Sequence, residues 1–194
     1  MRNRFEMKNK LAIFDLDGTL FDTRRVNYHA YKYALDQYGV PLDYEEFASM
    51  FNGRLYKTYM PSLMGEIGTD ENIEDAHNLK IKKYPEYLHE AVKNDSLFSM
   101  IDCMKEEFHI ALVTTGATEN VYQILDYFKV KDRFELILTQ NDVVNKKPDP
   151  EGFLKAMEHF SVSAENTIVF EDSDVGIEAA KAAGCVTYVV KGYA

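Results

Sequence analysis

Two aspartates, Asp15 and Asp17, stand two residues apart where an apolar run meets Gly18. Together with the apolar run, residues 11–17 predict a buried strand that ends in a polar loop. Because side chains alternate along a strand, both aspartates are predicted to point to the same side at its exit. Two close carboxylates repel each other unless a cation neutralises them, and Mg²⁺ is the oxygen-preferring cation that suits this position. A solvent-exposed strand end capped by acids explains this pair alone equally well.

A second acidic pair, Glu171 and Asp172, ends another apolar run at residues 167–172. Two strands would then deliver acids to one edge of a sheet, which favours a metal site over a plain surface. We predict that Asp172 binds the metal directly and that Glu171 binds it directly or through water. Asp174 is predicted to cap the N-terminus of the following helix.

Thr114 ends a third apolar run, residues 109–114, and is followed by Thr115 and Gly116. A hydroxyl group and adjacent backbone N–H groups ahead of a helix form a corner that binds anions. A lone threonine at a strand end is also a common cap, so Thr114 alone is a weak signal.

Lys147 precedes Pro148, whose ring restricts the local backbone. A lysine held there is predicted to reach both an anion in the corner beside Thr114 and the acids that follow the first strand, and to reduce their mutual repulsion. Its neighbour Lys146 lacks the adjacent proline and is predicted to be solvated.

The elements that position these residues follow an alternating pattern of strands and helices. Such alternation predicts parallel strands in a sheet covered on both faces. The predicted strands cover residues 11–17, 109–114, 134–139, 167–172 and 186–191, and the predicted helices cover 96–108, 118–128, 150–160 and 174–183.

The stretch from residue 22 to about residue 94 breaks the alternation and is helical and tyrosine-rich. We therefore predict an α/β fold, a Rossmann-like parallel sheet core with a small all-helical cap inserted after the first strand. The core covers residues 1–22 and 95–194, and the cap covers residues 23–94. An insert at that place would lie at the carboxyl ends of the strands, where ligands of such sheets bind.

Composition limits the possible partners. The chain has 194 residues and a formal net charge of −10, which argues against nucleic acid as a partner.

The apolar run at residues 11–14 is too short for a signal peptide or a membrane span. Cys103 and Cys185 are predicted to be reduced core residues. We expect a cytoplasmic protein without a membrane partner, as a monomer or weak dimer.

The order of these motifs, DLDGT at residues 15–19, then Thr114, then Lys147-Pro148, then Glu171-Asp172, resembles the haloacid dehalogenase superfamily over nearly the whole chain. The sequence FEDSDVGIEAAKAAG at residues 170–184 resembles its β-phosphoglucomutase and phosphoglycolate phosphatase group. That group carries a small helical cap after the first strand.

The resemblance implies a complete mechanism. Asp15 would attack phosphorus and form an aspartyl-phosphate, and Asp17 would protonate the leaving alkoxide and then deprotonate water. Asp15, the carbonyl group of Asp17, and Asp172 would hold Mg²⁺ with help from Glu171. The transferring phosphoryl group would be bound by Thr114, by the N–H groups near Thr115 and Gly116, and by Lys147. The substrate would be a small phosphorylated metabolite.

The predicted cap is expected to set substrate choice. Gly53 and Arg54 resemble part of the group's cap motif, and Arg54 or Lys57 could bind a second anionic group or sugar hydroxyls; a solvated helix start explains them equally well. Most of the cap tyrosines are predicted to form its core, although they could also stack on a sugar or base. They are Tyr28, Tyr31, Tyr33, Tyr38, Tyr44, Tyr56 and Tyr59.

Two departures from the group bear on the reaction. Asn27 stands where sugar-phosphate members commonly carry a histidine, and Tyr56 stands where β-phosphoglucomutases usually carry an arginine. Both favour a phosphatase over a phosphomutase, which is the alternative. Asp17 argues against dehalogenation, because a halide leaving group needs no proton. A phospho-acceptor signalling domain is a further alternative, disfavoured by the position of DLDGT on the first strand.

Overall fold

The computed structural model describes residues 8–51 and 55–191, and its elements alternate as predicted. In chain order they are β1 (Lys10–Phe14), β2 (Phe21–Asp22), α1 (Arg24–Asp36), α2 (Tyr44–Phe51), α3 (Tyr56–Met64), α4 (Asp70–Lys83), β3 (Val92–Lys93), α5 (Asp95–Met104), β4 (Phe108–Val113), α6 (Thr118–Tyr127), β5 (Leu136–Leu138), α7 (Glu151–Phe160), β6 (Thr167–Glu171), α8 (Asp174–Ala182) and β7 (Val186–Val189). Short 3₁₀ helices lie at Gly65–Ile67, Tyr84–Glu90, Lys131–Arg133 and Ala164–Asn166.

Five strands form a parallel sheet in the order β5-β4-β1-β6-β7, which confirms the predicted α/β fold. The central strand β1 is buried on both faces: Phe14 packs with Phe170 on one side, and Ile13 packs with Val169 on the other. Parallel sheets covered by helices bury both faces in this way. The carboxyl end of β1 therefore emerges at the middle of the sheet edge, between β4 and β6.

Strand β1 ends at Phe14, so the prediction that it extends to residue 17 is wrong. The backbone turns instead, and Gly18, at φ +88°, donates a hydrogen bond to the carbonyl group of Phe21. Asp17 lies in this turn and Asp15 comes just before it, so strand alternation does not set the direction of Asp17 relative to Asp15.

Helices α1–α4 and two of the 3₁₀ helices lie between β2 and β3. They enclose a hydrophobic cluster of their own, with Leu35, Phe47 and Met60 at its centre. The chain enters and leaves this part through β2 and β3, which pair as a short antiparallel sheet that the sequence did not predict. The division of the chain at residues 22/23 and 94/95 stays a prediction.

Two smaller predictions are wrong. Cys103 is exposed and not a core residue, because α5 buries only the face that carries Leu97, Phe98 and Ile101. Cys185 is buried as predicted, and both thiols are free. The N-cap of α8 is Ser173, whose hydroxyl group accepts a hydrogen bond from the Gly176 N–H at 3.2 Å, and Asp174 is the first helical residue. None of the helices in the described ranges is both long and apolar enough to cross a bilayer.

Candidate active site

Asp15 leaves the sheet at the carboxyl end of β1. Its backbone N–H donates to the carbonyl group of Phe170 at 3.0 Å, which fixes the residue between β1 and β6. The side chain is buried, and burial raises its pKa well above the ordinary value; Lys147 opposes this shift, while Glu171 and Asp172 add to it. The carboxylate is thus held at the centre of a group of charges.

Lys147 connects the acids of β1 and β6. Its Nζ atom donates to Asp15 Oδ1 at 2.7 Å, to Glu171 Oε1 at 2.6 Å and to the Val113 carbonyl at 3.1 Å. Burial alone would lower the pKa of Lys147, but Asp15 and Glu171 raise it above the ordinary value. The lysine therefore stays charged, and its three hydrogens are directed to defined acceptors.

Glu171 is fully buried at the end of β6, and both of its carboxylate oxygens have partners. Oε1 accepts from Lys147, and Oε2 accepts from the N–H and hydroxyl groups of Ser173 at 2.8 and 3.0 Å. Gly176 leaves the space that this carboxylate fills, because a Cβ atom there would collide with it. Ser173 and Gly176, at the start of α8, thus fix the Glu171 carboxylate that orients Lys147.

Three carboxylates could hold a metal ion. One oxygen each from Asp15, Glu171 and Asp172 lies within 4.8 Å of the others. Burial, and then the charge of Glu171, raises the pKa of Asp172 to about 6, and Thr19 donates a hydrogen bond to its Oδ1 atom at 2.9 Å. Three clustered carboxylates fit a hard divalent cation such as Mg²⁺, which takes oxygen ligands.

The side chain of Asp17 lies apart from this group. It accepts a hydrogen bond from the Thr23 hydroxyl group at the start of α1. Burial raises the pKa of Asp17, while the Thr23 hydrogen bond and the charge of Lys80 oppose the shift. A carboxyl group with a raised pKa is suited to carry a proton to or from a reacting oxygen. The binding of metal by the Asp17 carbonyl stays a prediction.

Thr114, Thr115 and Gly116 form the turn between β4 and α6. The Thr114 hydroxyl group is buried and accepts a hydrogen bond from the Gly116 N–H at 3.0 Å. This bond closes the turn and keeps the three residues against the cavity, with Gly116 close to Asp17.

One cavity brings most of the predicted site residues together. It encloses about 620 Å³ when the open solvent at its mouth is included. From the sheet side it is lined by Asp15, Asp17, Thr114, Thr115, Gly116, Lys147 and Glu171. Lys57 does not line it: its side chain is 61% exposed, and its Nζ atom lies 3.3 Å from Glu74 Oε2. Gly53 and Arg54 fall outside the described residues.

The helices between β2 and β3 contribute seven further residues to the cavity lining, and the sequence did not predict that these residues lie together. They are Asn27, Tyr31, Leu55, Tyr56, Tyr59, His77 and Lys80. Among them, His77 and Lys80 lie on the buried face of α4 together with Ile73 and Ala76. A histidine and a lysine at helical spacing on an apolar face were the signal that could have revealed them.

Comparisons with known proteins agree with this geometry. The model of the haloacid dehalogenase-like hydrolase family matches residues 12–190. A phosphorylated carbohydrates phosphatase from Thermotoga maritima is 30% identical over 178 residues, 89% of this chain and 81% of that protein. A validoxylamine A 7'-phosphate phosphatase from Streptomyces hygroscopicus subsp. limoneus is 31% identical over 180 residues, 90% and 82% of the two chains.

A solved structure has the same arrangement of the chain. CbbY from Rhodobacter sphaeroides, crystallised with phosphate, superimposes with a TM-score of 0.84 at 25% identity. The superposition covers 95% of this chain and 87% of that one, so it includes both the sheet and the helices above it.

Proposed function

The chain belongs to the haloacid dehalogenase-like hydrolases and is a phosphoric monoester hydrolase, and we propose that it releases phosphate from small phosphorylated metabolites through an Mg²⁺-dependent aspartyl-phosphate. The observation that carries the proposal is the position of Asp15. Its carboxylate lies in the cavity within hydrogen-bonding distance of Lys147 and in the group of acids that fits a divalent cation.

Asp15, Glu171 and Asp172 would hold the metal, together with the Asp17 carbonyl. Mg²⁺ bound there would neutralise the acids and the charge of the transferring phosphoryl group. Without a cation, three clustered carboxylates face one buried lysine, and a phosphate dianion would be repelled. The electrostatics of the site therefore support a metal-dependent reaction.

In the first half of the reaction, a carboxylate oxygen of Asp15 forms a bond to phosphorus while the ester oxygen leaves with the bonding electrons. Asp17 gives its proton to that oxygen, so the alcohol departs neutral. In the second half, Asp17 takes a proton from water, and the water oxygen attacks phosphorus. Inorganic phosphate then leaves, and the carboxylate of Asp15 is restored.

The phosphoryl group needs hydrogen-bond donors around its oxygens. Such donors line the cavity: they are Lys147, the Thr114 hydroxyl group and the N–H groups near Thr115 and Gly116. Such fixed donors stabilise charge that builds up on the phosphoryl oxygens in the transition state.

Tyr56 supports a phosphatase over a phosphomutase. Its hydroxyl group donates to Glu74 at 2.7 Å, and its ring stacks on His77 with 3.5 Å between the ring centroids. An uncharged side chain that is already hydrogen-bonded stands where β-phosphoglucomutases usually carry an arginine.

We also propose that residues 23–94 act as a cap over the site and that the protein works in the cytoplasm as a monomer or weak dimer. The separate hydrophobic cluster of the helices supports the first point, and the two free cysteines fit a reducing compartment. Size-exclusion chromatography with light scattering tests the oligomeric state.

The test of the function is phosphate release from a panel of phosphomonoesters with and without Mg²⁺. We expect turnover that needs Mg²⁺ and that is lost in Asp15→Asn. Equal turnover in Asp15→Asn and the wild type would contradict the proposal.

A further inference from the structure

His77 has one hydrogen-bonding atom without a partner. The residue is 6% exposed and lines the cavity. Its ring stacks on Tyr56 at an interplanar angle of 6°, and its Nδ1 atom lies 2.8 Å from the Tyr31 hydroxyl oxygen. Its Nε2 atom is buried and has no hydrogen-bond partner among the residues that the structure describes. The ring is thus held in place on one side and unsatisfied on the other.

An unpaired buried polar atom is unfavourable in the free protein, so a ligand group that pairs with it gains affinity. Nε2 donates a hydrogen if the Tyr31 hydroxyl donates to Nδ1, and it accepts one if Nδ1 is the donor. A hydroxyl group of a ligand satisfies either form, because it both donates and accepts. An ionised phosphate or carboxylate oxygen can only accept a hydrogen bond, so it satisfies only the form in which Nε2 donates.

The charge of the surrounding wall also favours a neutral group. Burial, and then the nearby charge of Lys80, lowers the pKa of His77 to about 3, so its ring is uncharged near neutral pH. Among the described residues that the helices between β2 and β3 contribute to the cavity, Lys80 is the one with a positively charged side chain. Its Nζ atom already donates to Asn120 Oδ1 at 2.9 Å. A second phosphate group would therefore find one cation, already paired with Asn120, among the described residues of these helices that line the cavity.

Asn27 adds an acceptor to the same wall. Its amide nitrogen donates to the Thr23 carbonyl at 3.1 Å, and its amide oxygen accepts no hydrogen bond from the described side chains. Lys80 also lines the cavity, and Asn120 accepts only one of its ammonium hydrogens. Donors and acceptors mixed in one small wall suit hydroxyl groups, whereas an anion needs donors alone.

We propose that His77 determines substrate specificity by binding, through Nε2, a neutral hydroxyl group of the alcohol that leaves during hydrolysis. Preferred substrates are then monophosphates of small polyhydroxy compounds. The inference rests on the proposed function, because it concerns the leaving group of that reaction.

The test compares two monophosphates of equal carbon number, sorbitol 6-phosphate and hexyl phosphate. Each is assayed with the wild type, with His77→Phe, which keeps an aromatic ring for stacking, and with His89→Phe as a matched control, since the His89 side chain is 65% exposed. We expect the ratio of kcat/KM for sorbitol 6-phosphate to that for hexyl phosphate to fall about tenfold or more in His77→Phe. In His89→Phe the ratio should stay within about twofold of the wild type.

A ratio unchanged in folded His77→Phe would overturn the role of His77 and leave the phosphatase proposal intact. The phosphatase proposal itself would be contradicted by a different result, phosphate release by Asp15→Asn at the rate of the wild type. The two failures are therefore distinguishable.

A second measurement needs no substitution of His77. The ¹⁵N resonance of its Nε2 atom is followed in Asp15→Asn during titration with sorbitol 6-phosphate, with inorganic phosphate as the comparison. We expect the resonance to move with sorbitol 6-phosphate and to stay in place with inorganic phosphate. A resonance that stays in place with both at saturation, or moves equally with both, would overturn the proposal even if His77→Phe does not fold.

Discussion

The Nζ atom of Lys147 lies 2.7 Å from Oδ1 of Asp15, and both side chains are more than nine-tenths buried. The same ammonium group lies 2.6 Å from Glu171, so one buried cation serves two buried carboxylates. With Asp172 beside them, negative charge exceeds positive charge at this point. The excess supports the proposed requirement for a divalent cation before phosphate binds.

Substitution of Lys147 should destabilise the fold as well as remove activity. Lys147→Met leaves Asp15 and Glu171 buried without their partner, which we expect to lower the free energy of unfolding by about 3–5 kcal/mol. Urea denaturation measures the loss, and added Mg²⁺ should restore part of it. Lys155→Met is the control, because the Lys155 side chain is 43% exposed and its ion pair with Glu151 should therefore matter less. Equal losses in the two variants would contradict this account of Lys147.

Asp17→Asn should slow hydrolysis in a way that depends on the leaving group. An alkyl alcohol leaves poorly without a proton, so we expect a loss of about 10²–10⁴-fold in kcat for an alkyl phosphate. For p-nitrophenyl phosphate the first step needs little protonation, and the loss should be much smaller in a burst measurement of p-nitrophenol. Asp22→Asn serves as the control, since Asp22 pairs with Arg24 outside the cavity. Equal losses for both esters would argue that Asp17 has another role.

Gly18 should tolerate alanine less well than Gly39. Both have positive φ angles, +88° and +68°, which alanine adopts at a cost of about 1–2 kcal/mol. Only at Gly18 would the new Cβ atom meet a neighbour, 2.7 Å from Cγ of Asp172; at Gly39 nothing lies within 4 Å. We expect Gly18→Ala to weaken Mg²⁺ activation as measured by titration of activity with Mg²⁺, and Gly39→Ala to leave it unchanged. The idea fails if both variants need the same Mg²⁺ concentration.

His77 should make the fold sensitive to acid. Its pKa is lowered to about 3 in the folded protein and is near its ordinary value of 6.5 when unfolded. Between these values only the unfolded chain takes up the proton, so stability is lost as the pH falls, by at most about 1.4 kcal/mol per pH unit. Denaturation at about pH 7 and about pH 4 should show a larger loss in the wild type than in His77→Phe. Parallel losses in both proteins would contradict the lowered pKa.

The arrangement of the sheet and its acids could be predicted because it follows from local patterns. Apolar runs that end in Asp15 and Glu171 indicate parallel strands, and the carboxyl ends of parallel strands meet at one edge. The structure does bring these residues together with Lys147 there. The exact end of β1 could not be predicted, since it depends on turn hydrogen bonds such as that from Gly18 to Phe21.

The residues that line the cavity opposite the sheet are only weakly indicated by the sequence. His77 enters the cavity only because α4 packs with its Ile73 face inward, and Lys80 is placed by Asn120, forty residues away on α6. Such contacts between distant elements leave a weak trace in the sequence, a polar residue on an apolar helix face. The exposure of Cys103 was missed for a related reason, because an apolar neighbourhood in sequence does not show which face of α5 is covered.

The most direct test of the central claim is to trap the phosphorylated enzyme. Wild-type protein mixed with substrate and Mg²⁺ is quenched in acid within the first turnover, and the phosphorylated peptide is located by mass spectrometry. We predict one phosphoryl group on Asp15, absent from Asp15→Asn and from wild type quenched without Mg²⁺. A phosphoryl group on another residue, or rapid turnover by Asp15→Asn, would contradict the account.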